Sequence, residues 1–210
     1  MRPFLLLVVP LLALVGIGAS IAHYMAPPYN PGFAEFPVIT SAHVVLGAIF
    51  LALAPFQFMC AIRARRAGYH RWAGRLLVAI GLVVGITALF LGLVIPFAGN
   101  PERVVIGVFG AIFLVALARG YADIRSGHVA SHREWMIRAF AIGLGAGTQV
   151  FTLGPLPLVL GEVDATATAI GMAAGWIINL AVGELAIRRW GRRPAAPVVA
   201  RVGSEAPAFL

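Results

Sequence analysis

The segment LLVAIGLVVGITALFLGLVIPFA, residues 76–98, decides the fold of this chain. It runs without a charged side chain, and the turn-forming residues Gly99-Asn100-Pro101 follow it directly. About 20 helical residues cross the roughly 30 Å hydrocarbon core of a bilayer. The segment therefore predicts a transmembrane helix.

The same criterion of length and apolarity finds five more segments along the chain. The fourth of the six is the shortest, because Arg119 and Asp123 end its apolar run, although an arginine near a helix end can extend to the headgroups. We therefore expect an all-α integral membrane bundle of six transmembrane helices within residues 1–190, followed by a disordered cytoplasmic Arg/Pro/Ala-rich tail, 191–210. The six segments are about 3–24, 39–62, 76–98, 104–122, 139–160 and 166–187.

Composition excludes several other classes of protein. The 210 residues are 60% hydrophobic and 11% charged, with a mean hydropathy of +0.93, whereas soluble domains are about 45–50% apolar and about 25% charged. A single cysteine, Cys60, excludes a disulfide scaffold. The net charge of +8 comes from arginines that lie between apolar runs, so it predicts a lipid bilayer as partner and no nucleic acid.

Arginine placement predicts the orientation of the helices. Of the 16 arginines, only Arg103 falls on the side that carries Glu35, Glu102, Glu162 and Asp164. By the positive-inside rule, both termini should be cytoplasmic in a multi-pass protein of the cell inner membrane. Residues 1–20 also resemble a secretory signal peptide, and its cleavage would leave the other spans oriented the same way.

An offset of 62 residues aligns two helical hairpins with each other. His70-Arg71 falls on His132-Arg133, and Ala79-Ile80-Gly81-Leu82 falls on Ala141-Ile142-Gly143-Leu144. This predicts a parallel internal repeat of the hairpins formed by helices 2-3 and 4-5. The repeat gives His70 and His132 equivalent positions.

Polar side chains inside apolar spans are the first functional candidates, because lipid makes them costly. Gln57, Gln149, Asn179 and Glu184 would form a polar track in a small transporter or lipid-handling protein. The alternative is structural. Gln149 and Thr87 could make hydrogen bonds between helices, and Glu184 could pair with a neighbouring arginine.

The histidines suggest a second chemistry. His23 and His43 should share the outer face, and His70 and His132 the inner face, as the ligands of haem b in an electron-transfer or respiratory-assembly protein would. A divalent metal held by His70, His132 and Glu184 is a further possibility. The alternative is that the His-Arg pairs bind lipid phosphate or cap a helix, and a structural subunit of a membrane complex also fits the composition.

Motifs of several enzyme classes do not occur in the sequence. It has no Gly-x-x-x-x-Gly-Lys-Ser/Thr loop, no Gly-x-Ser-x-Gly elbow, no His-Glu-x-x-His and no lysine for a Schiff base. ATP-driven transport and serine hydrolysis by this chain alone are therefore not expected, and the balance leans away from an enzyme.

Five motifs resemble a known bacterial family. In chain order they are Ser41-Ala42-His43-Val44-Val45-Leu46-Gly47, Pro55-Phe56-Gln57-Phe58, His70-Arg71-Trp72-Ala73-Gly74-Arg75, His132-Arg133-Glu134-Trp135-Met136-Ile137-Arg138 and Trp176-Ile177-Ile178-Asn179-Leu180-Ala181-Val182-Gly183-Glu184.

From about residue 40 to 188, the chain resembles the domain-of-unknown-function 2306 family (DUF2306) of predicted membrane proteins. The resemblance implies a multi-helix membrane protein and no particular activity. Six polar residues occupy positions in these motifs: His43, Gln57, His70, His132, Asn179 and Glu184. One departure is that members tend to carry an arginine in the middle of the fifth-helix motif, where this chain has Gly147-Thr148-Gln149.

Overall fold

The computed structural model describes residues 2–25 and 31–191, and within them it contains helices and no strand. The predicted all-α class is therefore confirmed for this part of the chain, and the predicted tail after residue 191 lies outside it. The helices are α1 (Arg2–Met25), α2 (Pro31–Glu35), α3 (Pro37–Gln57), α4 (Cys60–Arg65), α5 (Ala67–Val94), α6 (Asn100–Arg125), α7 (Val129–Gly143), α8 (Gly145–Leu153), α9 (Leu156–Leu160) and α10 (Ala165–Gly191).

Among the described residues, four helices are long and apolar enough to cross a membrane: α3, α5, α6 and α10. A fifth span is formed if α7 is joined to the helices after it, which continue at an angle of 41°. The described apolar part of α1, Val8–Ala22, is shorter than a bilayer requires. The prediction of six spans is therefore confirmed for four or five of them.

Local sequence explains where these helices begin and end. Gly99 has a φ of 79°, which glycine adopts without steric cost, and Pro101 follows inside the first turn of α6, where its missing N–H is no loss. Pro37 begins α3 in the same way, and Gly161, with a φ of 74°, ends α9.

The helices pack mainly against their neighbours in the chain. α3 lies on α5, α5 on α6 and α6 on α7, while α10 covers α7 and α8, and α1 lies across α8 and α3. Leu117 of α6, 1% exposed, fills the space left by Gly81 of α5. Phe50 of α3 meets Phe113 of α6 edge to face at 5.8 Å. These side chains form one core along the bundle.

The outer surface of the bundle is apolar. Large side chains point away from the core on every long helix, among them Ile86 at 60% exposed and Val104 at 68%. In water such a surface would cause the protein to aggregate, whereas in a bilayer it contacts acyl chains that are equally apolar. One end of the bundle carries most of the arginines, and we call it the arginine-rich end. The other carries Glu35, Glu102, Glu162 and Asp164, and we call it the acidic end.

The internal repeat is not confirmed. His70 and His132 are each the fourth residue of a helix, α5 and α7 respectively, as the repeat predicts. However, α5 continues unbroken to Val94, whereas α7 ends at Gly143. The first hairpin also contains the short helix α4, which has no counterpart between α6 and α7. The repeat stays a prediction.

Candidate functional site

A partly open cavity of about 300 Å³ lies in the acidic half of the bundle, and residues of α1, α2, α3, α5, α6, α7, α8 and α10 line it. Most of its wall is aliphatic or aromatic. Polar side chains on the wall are Ser20, His43, Glu102, Gln149 and Trp176. A mainly apolar cavity with a few polar groups is typical of sites for small molecules.

His43 of α3 is held against α5. Its Nδ1 lies 3.2 Å from the carbonyl oxygen of Val84 and 3.1 Å from Oγ1 of Thr87. A carbonyl oxygen only accepts hydrogen bonds, so the contact with Val84 assigns the proton to Nδ1, which donates it. Nε2 of the neutral ring is therefore left with a lone pair. The predicted role of Thr87 in a hydrogen bond between helices is confirmed.

The cavity borders the break between α7 and α8. Ile142, Gly143 and Ala146 line it, and the two helix directions differ by 41°. Trp176 of α10 donates from Nε1 to the carbonyl oxygen of Ile142 at 3.0 Å, which satisfies a backbone group near the break. A Cβ on Gly145 would overlap the indole of Trp176, so glycine is needed there for the indole to fit.

Two residues of the predicted polar track lie between α8 and α10. Gln149 lines the cavity and donates from Nε2 to the carbonyl oxygen of Met172 at 3.1 Å. Thr148 donates to Oδ1 of Asn179 at 2.8 Å, and Asn179 is 8% exposed. Nδ2 of Asn179 is buried and has no hydrogen-bond partner in the described residues.

Gln57 is not part of this group. It ends α3 and faces α5, where a Cβ on Gly74 would lie 3.4 Å from its Oε1. That oxygen is buried without a hydrogen-bond partner among the described residues. The structure therefore brings Gln149 and Asn179 to one interface and leaves Gln57 at another.

Glu184 forms an ion pair at the arginine-rich end. Arg138 of α7 donates from Nε to Oε1 at 2.5 Å and from its terminal nitrogen to Oε2 at 3.2 Å. The guanidinium group also lies 4.9 Å from the ring centroid of Trp135. This agrees with the structural alternative for Glu184, because the carboxylate is satisfied by two parallel hydrogen bonds from one arginine.

His70 and His132 both lie at this end. His132 donates from Nδ1 to the carbonyl oxygen of Gly120 at 2.8 Å. Nδ1 of His70 is buried without a hydrogen-bond partner in the described chain.

The predicted ligand sets are not assembled in the described residues. No three of their His, Cys, Asp and Glu side chains are grouped as a metal site would require, and Glu184 is paired with Arg138. His43 lies in the opposite half of the bundle from His70 and His132. The side chain of His23, its predicted partner, lies outside the described part.

Sequence reasoning missed three polar residues of the cavity wall, Ser20, Glu102 and Trp176. Glu102 falls in a stretch that predicted only an acidic outer turn, yet it is 7% exposed and accepts a hydrogen bond from the backbone N–H of Ala98. Its position gave a usable signal, because a glutamate at the third helical position reaches back to the residues before the helix. Trp176 stacks on Phe109 at 4.9 Å, a contact between distant segments.

Apolar helices of spanning length, an apolar outer surface and polar groups turned inward define a multi-helix membrane protein with an internal cavity. The chain belongs to the family described as "Predicted membrane protein (DUF2306)", whose model matches residues 39–187, more than half of the sequence. The predicted membership is thereby confirmed, with nearly the same bounds. Neither a curated protein nor a solved structure matches the chain.

Proposed function

We propose that this membrane protein binds a small, mostly apolar molecule in the cavity of its acidic half and takes part in transporting or handling that molecule. The observation that carries the proposal is the cavity of about 300 Å³ beside the broken helix α7–α8. Transporters place their substrates at interrupted helices, where freed backbone groups and small residues leave room for a ligand.

The cavity wall supports this proposal. Its volume lies at the lower end of the range of small-molecule sites, about 300–1,000 Å³. Gly47, Ala48 and Ala146 keep the wall open, while Gln149 and His43 supply the polar groups that would orient a ligand. Of the predicted polar track, Gln149 thus borders the site, and Asn179 supports α8 from the adjoining residue Thr148.

Filling the cavity is expected to weaken binding at least tenfold. A Cβ at Gly47 meets no atom within 4 Å, so Gly47→Leu places its side chain in the cavity without a clash at the backbone. The background for the assay has Trp176 as the sole tryptophan, after Trp72, Trp135 and Trp190 are changed to phenylalanine. We expect 11-bromoundecan-1-ol to quench Trp176 fluorescence saturably in this background, and at least tenfold more weakly after Gly47→Leu.

The matched control is Gly18→Leu. Gly18 of α1 is also open to a new side chain, but it does not line the cavity. Its quenching curve should match that of the parent. If bromoundecanol fails to quench Trp176 saturably, or if both leucine variants behave alike, the probe is meeting the protein from the surrounding lipid and the proposal is wrong.

A second candidate function is binding of haem b or a divalent metal through His43, His70 and His132, in electron transfer or respiratory assembly. One observation favours it. His43 and His132 each donate from Nδ1 to a backbone carbonyl, which leaves Nε2 as the coordinating atom, and ligand histidines are commonly oriented in this way. His70 and His132 are each the fourth residue of a helix at the arginine-rich end.

Spectroscopy tests this second function. If it is correct, the full-length protein purified in detergent should show a Soret band in its reduced-minus-oxidised spectrum, or a stoichiometric metal by elemental analysis. His132→Ala should remove the signal, and His128→Ala, at an exposed position before α7, should leave it intact. A featureless spectrum together with absence of metal would contradict it.

We also propose that the arginine-rich end faces the cytoplasm and that the protein resides in the cell inner membrane. The support is the separation of charge between the two ends of the helices, where Arg103 is the one arginine of residues 2–25 and 31–191 at the acidic end.

A further inference from the structure

Glu102 is a buried carboxylate on the wall of the cavity. It is 7% exposed, and no arginine pairs with it in the described part of the chain. The nearest basic residue in sequence, Arg103, is exposed and donates to Oδ1 of Asn100 at 3.1 Å. Burying a carboxylate without a cation is costly, so its surroundings must supply compensation.

The protein itself supplies only part of that compensation. The backbone N–H of Ala98 donates to Oε2 of Glu102, and the N-terminus of α6 adds a favourable partial positive charge. Oε1 is left without a donor among the described residues. A group that enters the cavity with a positive charge and a hydrogen to donate would complete the site.

The other polar groups of the wall point to the same kind of ligand. Nε2 of His43 is an acceptor, because Nδ1 already donates to α5. The hydroxyl of Ser20 donates to the carbonyl oxygen of Gly16 at 2.8 Å, so its oxygen also remains as an acceptor. The acceptors on the wall therefore outnumber the donors, and a ligand head rich in donors fits them best.

We propose that the cavity takes an amphipathic primary amine, with its ammonium group at Glu102 and its apolar chain along the aliphatic wall. This inference rests on the proposed function and names the class of ligand. An ammonium group carries three donors and one positive charge, which suit Oε1 of Glu102 and a wall whose other unused polar atoms are mostly acceptors. An alcohol would supply one donor and no charge, and a carboxylate would bring a second negative charge beside Glu102.

The experiment compares three probes that differ only in the head group: 11-bromoundecylamine, 11-bromoundecan-1-ol and 11-bromoundecanoate. The full-length protein with Trp176 as its sole tryptophan is placed in phosphatidylcholine nanodiscs at pH 7, and quenching is titrated with each probe. Each titration is repeated with Glu102→Gln. Because the ratio of the two midpoints is taken within one probe, differences in partitioning into lipid cancel.

We expect Glu102→Gln to weaken the amine about tenfold, to leave the alcohol within twofold and to strengthen the carboxylate. Glutamine can still accept the hydrogen bond from Ala98, so the variant removes the charge and keeps the local backbone arrangement. The control is Glu35→Gln, which removes an exposed acid from the same end of the bundle and should change none of the three midpoints.

The outcomes separate the ligand class from the site. One outcome is that all three probes quench Trp176, that Gly47→Leu blocks this quenching, and that Glu102→Gln changes the three midpoints by the same factor. The cavity then binds ligands, but the amine assignment is overturned. The same holds if the carboxylate is preferred in the parent protein. If no probe quenches saturably, the proposed function itself fails, and the amine assignment fails with it.

Discussion

Replacing Trp176 with alanine is expected to lower the free energy of unfolding by about 3 kcal/mol, the low end for a tryptophan truncation because this side chain is only partly buried. Three interactions are lost together: the stacking on Phe109, the hydrogen bond to the carbonyl oxygen of Ile142, and the packing against Gly145. The carbonyl would then lose its side-chain partner near the break of α7–α8. Reversible unfolding in mixed detergent micelles, followed by helical circular dichroism, measures the effect.

Trp72→Ala is the matched control for this prediction. Trp72 lies near the start of α5 and is 64% exposed, so its loss should change the free energy of unfolding by less than about 0.5 kcal/mol. Trp176→Phe should fall between the two, at about 1 kcal/mol, because the ring can still stack while the N–H is gone. Equal losses for Trp72→Ala and Trp176→Ala would show that the indole does not support the break.

Gly147→Ala is expected to destabilise the protein by about 2–3 kcal/mol, the upper part of the range for overpacking. α1 crosses α8 here at backbone distance, and a Cβ on Gly147 would overlap the carbonyl oxygen of Leu12. A backbone oxygen cannot rotate away, so α1 must shift as a whole. On the facing helix, a Cβ on Gly16 would lie 2.8 Å from the backbone nitrogen of Gly147, which confines both positions to glycine.

Gly18→Ala is expected to change the free energy of unfolding in the opposite direction, or not at all. Gly18 is on α1 as well, but a Cβ there meets nothing within 4 Å. Alanine should therefore leave stability unchanged or raise it, because it favours the helix by up to about 1 kcal/mol over glycine. The same unfolding assay applies to both variants. If Gly147→Ala is as stable as the parent protein, α1 does not pack on α8 in the way described.

Both predictions concern the supports of the cavity. Trp176 forms part of its wall, and Gly147 lets α1, which carries Ser20, approach α8, which carries Gln149. Gly147→Ala should consequently also weaken the quenching of Trp176 by the brominated probes.

The single-helix prediction for residues 139–160 shows what the local sequence of a segment can and cannot predict about its structure. The segment carries no charged residue and is mostly apolar, which predicts one span, but the chain breaks at Gly143-Leu144-Gly145 and again near Pro155. Glycine and proline permit such breaks without requiring them. Here the break fits the indole of Trp176 on another helix, which the segment itself does not encode.

The polar residues also show that local sequence does not specify contacts between helices. The sequence leaves two roles for Glu184, membership of the polar track or an ion pair with an arginine. The structure shows the ion pair, because Arg138 lies opposite Glu184 on α7. Gln57 shared polarity and depth with Gln149, but the two face different helices. The sequence places Glu102 only on the acidic side, between two spans, whereas the structure buries it against the cavity.

By itself, the sequence determined the class of protein, most of the spans, the charge difference between the two ends and the family. Those properties follow from the transfer of short segments from water to lipid, which is a sum over neighbouring residues. Only the tertiary structure decided which polar groups meet and where the cavity lies. These depend on contacts between helices that are far apart in sequence, such as Trp176 with Ile142 and Gly147 with Leu12, and no pattern within one helix specifies them.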